Sequence, residues 1–385
     1  MADTDVKLWS RRLAAAGVLV LGVAGCGAEN DESESAASPP ATTTQAAPAT
    51  QAPETSSIGS VAIDLSSPEE VATGIEVPWG LAFLPNGDAL VAERDSARVL
   101  RIPAEGGAPE PVYEVPGVSA EGEGGLLGLA VSPEYDSDET VYAYYTASGD
   151  NRIVRFQLDG GKPEVIFDGI ARNTFHNGGR IAFGPDGLLY VGTGDAGDTA
   201  TSQDQQSVNG KILRLTPEGE PAPGNPENGS PVYSSGHRNV QGLAWDAEER
   251  LFAAEFGQNE LDEVNLIEPG RNYGWPEVEG EGDTDGGRFT NPLVTWSTDE
   301  ASPSGIAIAG DMLFVAALRG ERLWTVPLTG GETGEPEARF EGDYGRLRTV
   351  EAAPDGSLWL TTSNTDGRGD VQDGDDRILR FPAAG

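Results

Sequence analysis

A short apolar run returns six times along the chain, and this repetition limits the possible folds more than any other feature. The copies are Gly80-Leu81-Ala82-Phe83, Gly128-Leu129-Ala130-Val131, Arg180-Ile181-Ala182-Phe183, Gly242-Leu243-Ala244-Trp245, Gly305-Ile306-Ala307-Ile308 and a weaker Thr349-Val350-Glu351-Ala352. Their first residues lie 48, 52, 62, 63 and 44 positions apart. Most copies run into a turn and a second strand. Pro85-Asn86-Gly87 precedes Ala89-Leu90-Val91, Pro185-Asp186-Gly187 precedes Leu188-Leu189-Tyr190-Val191, and Pro354-Asp355-Gly356 precedes Leu358-Trp359-Leu360. Proline fixes φ and glycine supplies positive φ, so Pro-Asx-Gly between apolar runs signals a tight hairpin. A third strand is expected at residues 99–102, 153–156, 212–215 and 378–381.

No stretch of helical length carries a clean 3.6-residue apolar period. The 52 glycines and 27 prolines suit many short strands and turns. Hairpin repeats of this length read as propeller blades, whose faces are covered only by stacking around a ring. The expected fold class is all-β: a six-bladed β-propeller of four-stranded antiparallel blades over residues 58–385. Residues 69–75 are strand-like and precede the first copy. They are expected to supply the outer strand of the last blade and so close the ring. The long intervals in the third and fourth repeats predict loops at 195–210 and 217–237 that build one face around the central channel.

Residues 1–25 read as an export signal. Lys7, Arg11 and Arg12 form a basic start, and Leu13 to Val23 is apolar but too short to span a bilayer, which needs about 20 residues. Val23-Ala24-Gly25-Cys26 is similar to a lipoprotein cleavage box, with Cys26 the one cysteine of the chain and the expected site of lipidation. Residues 26–57, rich in Ala, Ser, Thr, Pro and Gln, are expected to form a flexible, lipid-anchored tether. The protein is thus expected outside the cell, on the outer face of the membrane, with membrane contact only through the anchor. A formal charge of −38 argues against nucleic acid and anionic lipid surfaces as partners. It also makes clustered arginines informative, because 25 Lys and Arg face 63 Asp and Glu.

The two histidines, His176 and His237, each stand in a loop before an inner strand, and both loops are expected to open on one face. Histidine is the natural proton acceptor near neutral pH. Around them, in chain order, stand Gly122-Glu123-Gly124-Gly125-Leu126-Leu127-Gly128, His176 with Gly179-Arg180, Gly194-Asp195, and Gly236-His237-Arg238-Asn239 with Gln241-Gly242-Leu243. Asp262-Glu263-Val264-Asn265, Asn272-Tyr273-Gly274-Trp275-Pro276 and Arg346-Leu347-Arg348 follow.

This ordered set, from about residue 77 to 381, resembles the soluble pyrroloquinoline quinone (PQQ) dehydrogenases, including the aldose sugar dehydrogenases. The resemblance implies a quinoprotein oxidoreductase that moves a hydride from the anomeric hydroxyl of an aldose sugar to PQQ, with an external electron acceptor. It assigns His176 as general base and Asp195 as the residue that orients it. Glu123, Arg238, Asn239, Arg319, Arg346 and Arg348 fall at cofactor-binding positions. Guanidinium groups suit a ligand with three carboxylates, because each can grip a carboxylate through two hydrogen bonds. The resemblance also implies calcium, held by the backbone carbonyls of Gly257 and Gln258, and a further calcium at Glu263 and the backbone of Tyr273. Oxygen ligands suit that ion. Three positions depart from the family pattern. Glu123 stands for glutamine, Phe175 for a polar residue, and Arg319 for lysine. Those departures keep open an alternative, a non-catalytic cell-surface propeller that binds sugar or protein. A calcium-dependent lactonase is a weaker third reading.

Overall fold

The structure is a computed structural model and describes residues 62–384. The export signal, the tether and Cys26 lie outside the described residues. Six antiparallel sheets follow one another along the chain. Blade I is Pro78–Phe83, Ala89–Glu93, Arg98–Ile102 and Glu110–Glu114, and blade II is Leu126–Val131, Thr140–Thr146, Asn151–Gln157 and Glu164–Ile170. Blade III is Ile181–Phe183, Leu189–Gly192, Lys211–Leu215 and Val232–Ser235. Blade IV is Val240–Trp245, Leu251–Glu255, Leu261–Ile267 and Val294–Ser297. Blade V is Pro303–Ala309, Met312–Ala317, Arg322–Thr329 and Glu337–Arg339, with the short Glu332–Thr333 added beside its third strand. Blade VI is Leu347–Ala352, Leu358–Thr362, Arg377–Phe381 and, from the far end of the chain, Glu69–Thr73. The first strand of each blade packs beside those of its neighbours, or in one case beside the neighbour's second strand, and the contacts run full circle. This is a six-bladed β-propeller.

The repeat explains itself at these inner strands. A Cβ added to Gly80 would come within 2.6 Å of the Leu127 carbonyl oxygen, and one on Gly305 within 2.7 Å of the Thr349 Cα. Gly128 and Gly242 meet the backbones of blades III and V in the same way. The recurring glycine is where one blade's backbone touches the next. The turns behave as their residues require: Gly87 has φ +89° and donates to the Leu84 carbonyl at 2.8 Å. The apolar core lies between blades rather than at the centre. Phe252 and Val264 of blade IV, for example, pack with Ile306 and Val315 of blade V. Full burial of such a side chain contributes about 1.5–3 kcal/mol.

Glu69–Thr73 pairs with Arg377–Phe381 and closes the ring, as expected. Val71 and Ala72 bury against Trp359 and Ile378, and Glu69 pairs with Arg380 at 2.5 Å. One expectation needs correction. The loop expected at 217–237 ends in a strand, because Val232–Ser235 is the outer strand of blade III. Outer strands such as Glu110–Glu114 are largely exposed, so they lack the apolar run that marks the inner three.

Candidate active site

His176 occupies a left-handed backbone conformation, φ +56°, a strain of about 1–3 kcal/mol that functional loops commonly hold. Its N–H donates to Glu123 Oε2 at 3.2 Å, and its carbonyl accepts from Ala196 N–H at 3.1 Å. Gly194 makes this contact possible, since a Cβ there would collide with the His176 carbonyl oxygen. The next residue, Asp195, thereby reaches the imidazole: Oδ1 lies 2.7 Å from His176 Nδ1. Asp195 also accepts from Gly197 N–H at 2.8 Å and from Trp275 Nε1–H at 2.9 Å. Burial pushes the Asp195 carboxyl up, but the hydrogen bonds from His176, Gly197 and Trp275 outweigh it and hold it below the usual range. An ionised carboxylate can only accept, so the network assigns the proton to Nδ1 and leaves a lone pair on Nε2. No group among the described residues bonds that nitrogen, and the side chain is 13% exposed.

A cavity of about 170 Å³ is walled by Arg94, Arg348, Arg368, Trp79, Gln241 and Glu123, with Asp366 also in the wall, and His176 meets it through Glu123. Three guanidinium groups against two carboxylates make this a net cationic pocket in a chain of charge −38. Arg94 binds Asp95 at 2.6 Å, and Arg368 binds Glu123 Oε1 at 3.0 Å. Arg346 donates to Asp366 at 2.8 Å and to the Leu318 carbonyl at 3.3 Å. Arg348 donates to Gln241 Oε1 at 3.0 Å, and burial lowers its guanidinium to about 9. Among the described residues, the buried donors without a partner include Arg348 Nε, of a wall residue, and Asn239 Nδ2. An unmade buried hydrogen bond costs about 1–3 kcal/mol. Cationic walls with orphan donors fit an anionic, acceptor-rich ligand.

A second oxygen-rich region adjoins Arg238. Arg238 holds Gln258 Oε1 at 2.6 Å and the Phe256 carbonyl at 3.1 Å, and lies 5.5 Å from the Trp275 ring. Glu279 Oε1 gathers the N–H groups of Gln258, Asn259, Glu260 and Leu261 at 2.6–3.3 Å. Gly257 N–H is taken by Asp262 at 2.8 Å, and burial raises that carboxyl to about 6. The loop is fixed by its N–H groups. No donor among the described residues reaches the carbonyls of Gly257 and Gln258. Behind this loop, Glu263 and Glu255 are buried together. Asn265 Nδ2 bridges them at 2.8 and 3.4 Å. Burial and the charge of Glu255 hold the Glu263 carboxyl well above its usual range. Glu255 binds His237 Nδ1 at 2.6 Å, and the His237 ring stacks on Tyr273 at 4.9 Å. Among the described residues, no three His, Cys, Asp or Glu side chains converge as a metal cage.

The sequence matches the family model for glucose/sorbosone dehydrogenases over residues 75–379. The chain belongs to the glucose/sorbosone dehydrogenase family. It is 28% identical to the aldose sugar dehydrogenase of Escherichia coli over 332 residues, covering 76% of this chain and 89% of that one. It is 31% identical to quinoprotein glucose dehydrogenase B of Acinetobacter calcoaceticus over 280 residues, 62% of this chain and 59% of that one. Among solved structures, the PQQ-bound aldose sugar dehydrogenase of Streptomyces coelicolor is similar with a TM-score of 0.80 and 58% identity, covering 86% of this chain and 99% of that one.

For a member of the glucose/sorbosone dehydrogenase family, the structure joins most of the residues expected from sequence. His176 bonds both Asp195 and Glu123, and Arg348 and Glu123 share the cavity. Arg346 reaches the cavity through Asp366, and Asn239 Oδ1 accepts from Gly178 N–H two residues after His176. Arg238 stands beside Trp275 and Gln258, and Glu263 and Tyr273 share the His237 cluster. Arg319 is not brought in. Its guanidinium pairs with Asp299, the side chain is 59% exposed, and the preceding Leu318 lines the cavity instead. His237 is fully buried with both ring nitrogens bonded, so the two histidines do not share one open pocket. Sequence reading missed Arg94, Arg368 and Asp366. They stand in loops outside the family-like motifs; the scarcity of arginine could have drawn attention to Arg94 and Arg368, and nothing in the sequence singles out Asp366 among 63 acidic residues.

Proposed function

We propose that this protein is a PQQ-dependent oxidoreductase that oxidises an aldose sugar at its anomeric hydroxyl. The observation that carries the reading is a His176 whose Nδ1 is held by an ionised carboxylate and whose Nε2 has no bonded partner, linked through Glu123 to a cationic pocket in which Arg348 Nε is unpartnered. Arg348, Arg94, Arg368 and Asn239 would hold the quinone's carboxylates and carbonyls, with Arg346 bracing the wall through Asp366. When bound, the quinone supplies the electrophile that accepts a hydride from the sugar's anomeric carbon. Nε2 of His176 takes the proton of the anomeric hydroxyl. The imidazolium so formed is stabilised through Nδ1–H by Asp195, a charge pair that Gly197 and Trp275 keep aligned. Two electrons leave the sugar with that hydride, so an external acceptor must reoxidise the site.

Calcium belongs to the same proposal. The carbonyls of Gly257 and Gln258 would offer it oxygen ligands beside Arg238, and Glu263 with the Tyr273 backbone would hold a second ion. Attachment through a lipidated Cys26 on the outer face of the membrane is also proposed, and loss of membrane association in Cys26→Ala would support it. The activity test is reconstitution of the purified chain with calcium and PQQ, followed by dye reduction with a panel of aldoses. Reduction is expected, with a primary isotope effect when the sugar carries deuterium at its anomeric carbon. No quinone binding at micromolar levels and no turnover would contradict the proposal and favour a non-catalytic binding propeller.

A further inference from the structure

The repeat has a glycine at the head of four inner strands, Gly80, Gly128, Gly242 and Gly305, and breaks the rule twice, at Arg180 and Thr349. Those two exceptions stand in blades III and VI, three places apart in a ring of six. They meet: Arg180 Nη2 donates to Thr349 Oγ1 at 3.0 Å. Arg180 Nε donates to the Gln241 carbonyl of blade IV at 2.7 Å, and its guanidinium lies 4.5 Å from the centre of the Trp79 ring in blade I. Thr349 Oγ1 in turn donates to the Trp79 carbonyl at 2.6 Å. One side chain from blade III therefore ties together blades I, IV and VI beside the channel.

Arg180 is buried and does not line the cavity, but three lining residues rest on it or on its partners. Trp79 lies against its guanidinium. Gln241 gives Arg180 its carbonyl and gives Arg348 its side-chain Oε1. Arg348 follows within 5.7 Å of the same Trp79 ring. No carboxylate forms an ion pair with Arg180 among the described residues. The nearby Glu351 is itself pushed up to about 7 by burial, partly offset by the charge of Arg180. A buried cation without a bonded counter-ion is costly. That cost falls where an anion enters the adjoining pocket, because charges interact strongly across a poorly solvated wall.

We propose that Arg180 is a positioning residue that fixes Trp79, Gln241 and Arg348 as one wall of the pocket and, through its own unpaired charge, prepares that wall for an anionic ligand it never touches. This rests on the proposed PQQ-dependent reading, and the experiment separates the two. The probe is PQQ with calcium, titrated into wild type, Arg180→Lys, Arg180→Met and Thr349→Val, with each protein's melting curve recorded without ligand. Arg180→Met should weaken PQQ binding about tenfold or more, the scale of a lost charge-assisted interaction. Arg180→Lys keeps the charge but not the fork, so it should recover part of that loss and shift the absorption maximum of bound PQQ less. Thr349→Val should cost only a few-fold. A folded Arg180→Met that binds PQQ with the wild-type Kd would overturn the proposal. So would Arg180→Lys behaving no better than Arg180→Met, which marks a purely structural role. If Arg180→Met does not fold, the lysine variant decides: PQQ bound a few-fold more weakly than by wild type supports the proposal, whereas an unchanged Kd overturns the positioning by the fork and binding weakened tenfold or more overturns the part given to the charge. Wild type failing to bind PQQ would overturn the functional reading and this inference with it.

Discussion

The chain has two histidines, and each is bonded through Nδ1 to a buried carboxylate at almost the same distance, 2.7 Å in His176–Asp195 and 2.6 Å in His237–Glu255. Their surroundings differ. His237 is fully buried, stacked on Tyr273, and its Nε2 is bonded to Ser234 at 2.8 Å. His176 keeps Nε2 unbonded and is tied by its N–H to Glu123 of the cavity wall, in a strained loop with Phe175, 40% exposed, against its ring. The pair is common to both sites, so the pair is not what makes a catalytic base. What sets His176 apart is an Nε2 with no bonded partner among the described residues, on a residue bonded to a wall of the cavity. The second oxygen of Glu255 accepts from the Arg238 and Asn239 N–H groups at 2.6 and 3.4 Å, which makes the His237 pair a scaffold for the Arg238–Asn239 segment.

Four substitutions probe this contrast. His176→Ala should lower sugar oxidation by about 100- to 10,000-fold, the usual reach of general-base catalysis, with melting temperature little changed. His237→Gln should do the reverse. It strips Glu255 of a buried partner and should cost about 3–5 kcal/mol in denaturant unfolding, because an uncompensated buried charge remains. Asp195→Asn should slow turnover by about 100-fold, through the wrong tautomer at His176. Its effect on stability has a pH signature. The folded-state pKa of Asp195 lies below the ordinary 3.8, so its stabilising share is complete above 3.8 and is lost as pH falls through the folded value. Wild type and Asp195→Asn should therefore differ in melting temperature at neutral pH and converge in acid. The smallest effect is expected from Glu123→Gln. Removing one carboxylate from the pocket should tighten PQQ binding by a few-fold at low salt, and less at high salt.

Much of the molecule is legible in the amino-acid sequence alone. Blade number follows from spacing, the hairpins from Pro-Asx-Gly, and closure from the strand-like residues ahead of the first repeat. Outer strands such as Glu337–Arg339 are hidden, because this exposed edge strand carries no apolar run. In the site, motif order identifies His176 and Asp195, and Gly194 shows why that spacing works. Apart from motif order, residue type does not separate His176 from His237, since the physical difference lies in whether Nε2 is occupied, as it is by Ser234 in His237. Nor does it place Arg319, whose direction depends on an exposed partner, Asp299. Arg94, Arg368 and Asp366 escape for a similar reason, as loop residues whose meeting is decided by the closing of the ring. The broken glycine at position 180 is visible, but its partner across the channel is not.

A single turnover isolates the step assigned to His176. The quinone is loaded into wild type and His176→Ala with calcium, its affinity is measured in each, and its bleaching by excess aldose is followed by stopped flow. A general base at His176 requires equal PQQ affinity within a few-fold and bleaching at least about 100-fold slower in the variant. Bleaching at the wild-type rate in a variant that holds PQQ normally would contradict that role.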